Sequence, residues 1–132
     1  MVRADGCPAG HRRINDECWK KIGVIGVDSG QVLITDPGYI DSGWKNEDMP
    51  LRLPHGHEKY PKPKHNMSYY ACCEKTLTGL HGQLNYNRGH PGLGVVSTTG
   101  FGDGSYNVYA LINNHGKWGK RVEKIMIDFI EE

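Results

Sequence analysis

The sequence predicts a mainly β fold: a single domain of antiparallel hairpins, packed as a sandwich or a partly open barrel, with little helix. Two observations carry this expectation. β-Branched and aromatic residues gather on both sides of glycine-rich turns, at Val95–Leu111 and at Val24–Tyr39. Glycine supplies 18 of 132 residues, about twice its ordinary share, which suits many tight turns better than long helices.

Residues 1–20 read as a basic, loop-rich leader ahead of a β-rich domain at 21–132. In the leader, Cys7 and Cys18 bracket an Asn15-Asp16 turn signal, the pattern of a small cystine-closed hairpin. Residues 1–20 are polar and show no signal peptide, so synthesis is expected in a cytoplasm, where such thiols stay free. A virion environment would reconcile a disulfide with that origin.

Lys21–Val27 and Gln31–Thr35 read as two strands of one hairpin around Asp28-Ser29-Gly30, and their near-continuous apolar runs predict burial on both faces. Asp36-Pro37-Gly38-Tyr39 ends the second strand, because Pro37 has no N–H for a ladder. From 41 to 66 the chain is polar and carries Pro50, Pro54, Pro61 and Pro63. So long a connection in a compact domain is usually functional or poorly ordered. Tyr69–Cys73 reads as a strand and Gln83–Asn87 as another, with Arg88–Gly92 as the next turn. Gly94–Thr98 and Tyr106–Ile112 form the second glycine-centred hairpin. Asn113-Asn114-His115-Gly116 then turns the chain into its last element. There Val122, Ile125, Met126, Phe129 and Ile130 fit helical spacing, but the isoleucine enrichment and tight preceding turn favour a strand.

Charge narrows the partners. Sixteen Lys and Arg stand against fifteen Asp and Glu, so no global basic field draws the chain to nucleic acid or an anionic membrane surface. No apolar run approaches the roughly 20 residues of a membrane span. A protein partner or a homo-oligomer is expected first, with a small anionic ligand as a further possibility; the sequence leaves the cofactor unknown.

Val27-Asp28-Ser29-Gly30, Ile34-Thr35-Asp36-Pro37-Gly38-Tyr39 and Gly100-Phe101-Gly102-Asp103-Gly104-Ser105-Tyr106-Asn107-Val108-Tyr109-Ala110 resemble motifs of an uncharacterised family of small bacterial and phage-encoded proteins. The likeness covers about residues 21–39 and 93–130. That family often has cysteine where this chain has Gly38, and proline where it has Asn107. The resemblance implies a β-rich fold and a phage or mobile-element origin. It implies no chemistry.

The catalytic candidates are Asp28, Asp36 and Asp103, each at a turn between apolar strands. Asp there ordinarily accepts hydrogen bonds from nearby backbone N–H groups. If the three turns met at one sheet end, their carboxylates could hold a cation or orient a hydroxyl. Val27-Asp28-Ser29-Gly30 also has the form of a pepsin-like loop, but that chemistry needs a paired carboxylate from a second copy. Gly100–Gly104 is a candidate phosphate cradle, against which stands the strand rather than helix expected after it. His55, His57 and His65 are the metal-ligand candidates, against the plainer reading of solvated histidines. Lys59, Lys62, Lys64, Arg52 and Tyr60 could contact phosphate or stack on a base, or simply form a solvated loop. Candidate binding residues are Tyr39, His55, His57, Tyr60, Gly102, Asp103 and Tyr106.

With no complete catalytic set, the expected function is a non-enzymatic binding or structural module, an accessory or virion-associated protein of a phage or mobile element. The alternative is a small metal-assisted hydrolase or nucleotide-binding protein using the Asp-bearing turns.

Overall fold

The computed structural model describes residues 6–50 and 60–131, which form two units, each with its own sheet. Along the chain run β1 (His11–Ile14), β2 (Glu17–Val27), β3 (Gln31–Thr35), α1 (Pro37–Gly43), α2 (Tyr69–Thr78), β4 (His81–Asn85), β5 (Pro91–Thr98), β6 (Gly104–Asn114) and β7 (Lys120–Ile127). The fold is mainly β with antiparallel sheets, as the sequence predicts. Neither sheet closes into a barrel among the described residues.

The first unit comprises residues up to 28 and from 103 onward; the second is 29–102. The first carries a four-stranded sheet in the order β1-β2-β6-β7. Its opening hairpin turns at Asn15 and Asp16, both at positive φ (50° and 66°), the twist that joins two strands through two residues. Cys7 and Cys18 stand at disulfide-bonding distance across its base, their Cα atoms 5.5 Å apart. Trp19, Tyr109 and Leu111 form this unit's core, with Ile14 and Met126 packed against them. The last element is a strand, as its isoleucines predict, and it pairs with β6.

The second unit has a three-stranded sheet, β3-β5-β4, and both α-helices. Met67, Ala71, Cys72, Leu84, Leu93 and Val96 build its core, with Leu33, Tyr39, Trp44 and Tyr86 around them. Removing the larger of these side chains (Met67, Leu84, Leu93 and Val96) from water contributes about 1.5–3 kcal/mol apiece, which holds the short helix against the three short strands.

Both glycine-centred hairpins are corrected. β2 pairs with β1 and β6, whereas β3 pairs with β5; β5 in turn pairs with β3 and β4, not with β6. Asp28-Ser29-Gly30 and the turn at 99–103 therefore carry the chain out of one unit and back. A glycine-rich turn between two β segments looks the same whether the chain folds back or changes sheet, and only partner choice distinguishes them.

The expected burial of both strand faces also fails. Ile22, Val24 and Ile34 are 50%, 55% and 60% exposed, because each sheet gathers its core on limited stretches of strand.

Tyr69–Cys73 is helix, not strand. Ser68 caps it, its Oγ accepting from Ala71 N–H at 3.0 Å, and the helix continues to Thr78. Two tyrosines and two cysteines make a β-like window, but it is shorter than the ten-residue helix that contains it. Asp36-Pro37 likewise opens α1 rather than a turn alone: Asp36 Oδ1 accepts from Gly38 N–H at 2.8 Å, and Pro37 fills the first helical position.

Reduction of Cys7–Cys18 should destabilise the first unit. Releasing a loop with a sequence separation of 11 costs about 3 kcal/mol by chain entropy. Urea unfolding with and without reductant measures it, and coincident curves would contradict it.

Candidate functional site

Among the described residues of the second unit, two adjoining clefts of about 480 and 370 Å³ have room for a ligand. Both volumes fall in the range of small-molecule sites. Their shared wall is His65, Asn66, Tyr86 and Asn87. Lys62 and Lys64 on the connecting segment, with Glu74 and Lys75 on α2 and Gln83 and Asn85 on β4, complete the larger cleft. Lys45 and Leu93 help to line the smaller one.

The wall at 62–66 has no regular secondary structure, so its order must come from side chains. Glu47 supplies it. One carboxylate oxygen accepts Lys64 N–H at 2.6 Å; the other accepts His65 N–H at 3.2 Å and the Ser68 hydroxyl at 3.0 Å. The Glu47 carbonyl accepts Tyr70 N–H at 2.9 Å, and Lys45 N–H donates to the Met67 carbonyl at 2.9 Å. Asn66 Nδ2 donates to the Asn85 carbonyl at 2.7 Å, tying the segment to β4, and the Tyr70 hydroxyl donates to the Pro61 carbonyl. Burial pushes the Glu47 carboxyl up, but the bonds from Lys64, Ser68 and His65, with the charge of His65, outweigh it and hold the group below its usual value.

Opposite this wall, close approach shapes the lining. A Cβ on Gly82 would lie 2.6 Å from the Lys75 side chain, so glycine there lets the lysine stem lie on β4. Gly92, at φ +137°, faces the Tyr86 ring, which a Cβ would approach to 2.6 Å. The Tyr86 hydroxyl is 2.7 Å from that of Tyr39 and also donates to the Gly92 carbonyl at 3.1 Å, while its ring stacks on His90 at 4.6 Å. The hydrogen bond to Tyr39 is the main reason that the Tyr86 phenol is raised, with burial second.

Electrostatically the clefts are positive. Among the described residues, Lys45, Lys62, Lys64 and Lys75 line them with one acidic side chain, Glu74, which is 3.5 Å from Lys75, and the Glu47 carboxylate lies behind the wall on the Lys64 and His65 N–H groups. The remaining polar lining consists largely of amides that can both donate and accept. Such a surface suits a hydrophilic anion.

Comparison with protein-family models, with curated proteins and with solved structures gives no match.

The structure scatters the residues singled out from sequence. His65 lines both clefts, and Tyr39 reaches them through Tyr86. Tyr60 is half-buried at the start of the described part of this wall. His55 and His57 lie outside the described residues, as do Arg52 and Lys59. Asp36 caps α1 in this unit. Asp28 and Asp103 belong to the other unit, where they flank the paired Val27 and Gly104 at the end of β2 and β6. Gly102 closes its turn with Thr99: Gly102 N–H donates to the Thr99 carbonyl at 2.7 Å, and Thr99 Oγ1 to the Gly102 carbonyl at 2.8 Å. Tyr106 packs edge-on against Phe129 at 5.2 Å. Among the described residues no group of three or more His, Cys, Asp or Glu is placed to hold a metal ion. No described helix is long and apolar enough to cross a membrane.

Sequence reasoning missed Glu47, Asn66, Tyr86, Lys45 and Lys75. Ser68, three residues before the N–H it caps, was a legible helix start. Nothing in the sequence marks Glu47, whose partners are 17 to 21 residues away.

Glu47→Gln should loosen the 62–66 wall, raising amide exchange at Lys64 and His65 at neutral pH. The native carboxyl is held below its ordinary 4.5, so its stabilisation is complete above that value and is lost as pH falls through the folded-state pKa. The native chain should therefore lose protection at these amides on the acid side, measured against their intrinsic exchange rates, a loss that Glu47→Gln lacks. Identical profiles would contradict this role.

Proposed function

We propose that the protein is a non-enzymatic binding module that takes a small phosphate- or carboxylate-bearing ligand in the lysine-lined cleft of residues 29–102. One observation carries the reading: among the described residues, four lysines and one carboxylate line two adjoining clefts that share an amide- and tyrosine-bearing wall. With the chain as a whole nearly neutral, this imbalance is a local feature of the site. Motif resemblance to small phage and bacterial proteins supports an accessory or virion-associated role, with a protein partner or further copies of the chain.

The metal-assisted hydrolase reading rests on the Asp-bearing turns. Asp28 and Asp103 do flank one strand pair, but Asp36 commits a carboxylate oxygen to capping α1. The cleft is the better-supported site.

A thermal-shift panel of inorganic phosphate, mononucleotides, sugar phosphates and acidic sugars tests the proposal. A ligand at 100 times its Kd stabilises the folded chain by about 2.7 kcal/mol, so a clear rise in Tm is expected for at least one class. Lys62→Ala with Lys64→Ala should weaken that ligand at least about tenfold, the equivalent of 1.4 kcal/mol, whereas Asp28→Asn should leave it unchanged. A flat panel, or a response that survives the double substitution, would contradict the assignment.

A further inference from the structure

The first unit holds a second convergence of polar groups, built on strands instead of a loop. Arg12 of β1 donates from Nη1 to Asp128 Oδ2 at 2.9 Å, and the same atom lies 3.0 Å from Glu131 Oε1. That Glu131 oxygen also accepts the Tyr109 hydroxyl, and Oε2 accepts Asn107 Nδ2 at 3.0 Å. The guanidinium carbon of Arg12 sits over the Tyr109 ring, 5.6 Å from its centroid. Three donor side chains from β1 and β6 thus converge on one carboxylate, and one of them takes a second carboxylate as well.

We infer that Arg12, Asn107 and Tyr109 form a recognition seat for an acidic peptide with the spacing Asp-aromatic-X-Glu, and that Asp128–Glu131 fills this seat as a built-in competitor. The donors stand on the β1-β2-β6 ladders, whose register does not involve the tail: Arg12 is opposite Trp19, and Asn107 opposite Val24. A guanidinium, an amide and a phenol presented by sheet strands offer fixed donors to a planar two-oxygen acceptor. The tail also presents Phe129, edge-on to Tyr106, between its two acidic residues. This spacing of acid, aromatic and acid defines the ligand class.

One feature makes the tail displaceable instead of a permanent strut. Its ion pairs are part-exposed, with Arg12, Asp128 and Glu131 side chains 27–29% accessible, where such pairs are individually weak. Trp19, packed with Tyr109 in the core and 7% exposed, has a buried indole N–H with no hydrogen-bond partner among the described residues, so it reports on the packing of Tyr109 and offers a peptide no donor. A self-filled site binds outside ligand with an affinity reduced by the fraction of time that it is empty. The inference is independent of the lysine-lined cleft.

The test uses the full chain and a labelled peptide, Asp-Phe-Ile-Glu-Glu, with Asn-Phe-Ile-Gln-Gln as control. Asp128→Asn with Glu131→Gln removes the competing charges, and this variant should bind the acidic peptide at least about tenfold tighter than the native chain does. Adding Arg12→Lys should reverse the gain, and the control should not bind. A folded variant that binds no tighter than the native chain, or takes both peptides alike, overturns the inference. If the variant does not fold, the native chain decides by NMR. Saturable shifts of the Arg12 Nε–H and Trp19 indole N–H with the acidic peptide alone support the seat; unmoved resonances at millimolar peptide overturn it.

Discussion

The antiparallel ladder between β2 and β6 is the constraint on which the rest depends. It runs from Lys20 opposite Ala110 to Val27 opposite Gly104, so two positions 77 residues apart in the chain become neighbours. Closing a loop of that length costs more entropy than closing a hairpin, though the cost rises only logarithmically with length. Two sources offset it: the ladder itself, and the separate core around Met67, Leu84 and Val96 that organises the enclosed residues. A β-bulge between Lys21 and Gly23 interrupts the pairing without ending it.

Inside the enclosed unit, order is passed from side chain to backbone. The proline-punctuated segment cannot satisfy its own N–H groups through a ladder, and Glu47 accepts two of them. Ser68 does double duty, donating to Glu47 and capping α2, so the helix start and the cleft wall are set by the same hydroxyl. The positive lining then follows from where the chain is held, since Lys62 and Lys64 bracket Pro63 on that wall.

Much of the architecture was legible because it is local. The Asn15-Asp16 turn, the cystine-closed hairpin, the β6–β7 reversal and the terminal strand all depend on residues close in sequence, and turn chemistry with β-propensity reports them. What failed was partner choice. Val24 to Thr35 has the composition of a hairpin, but its two strands join different sheets, a decision made by β6 and β5 some 60 to 80 residues later. The helix at Tyr69 was hidden by β-prone tyrosines and cysteines, although its serine cap was in plain view. Of the candidate site, Lys62, Lys64 and His65 could be noticed as a basic stretch. Glu47 and Tyr86 could not, because their roles exist only once distant segments are brought together.

The four cysteines are divided between these environments. Cys7 and Cys18 are partners in the first unit, whereas Cys72 and Cys73 lie buried as free thiols on α2. Burial, with a smaller contribution from Cys73, pushes the Cys72 thiol up to about 11, which withholds the thiolate that sulfur exchange requires. Four cysteines admit three complete pairings. In the folded chain α2 buries two of the sulfurs, which leaves Cys7–Cys18 as the pairing that the fold permits.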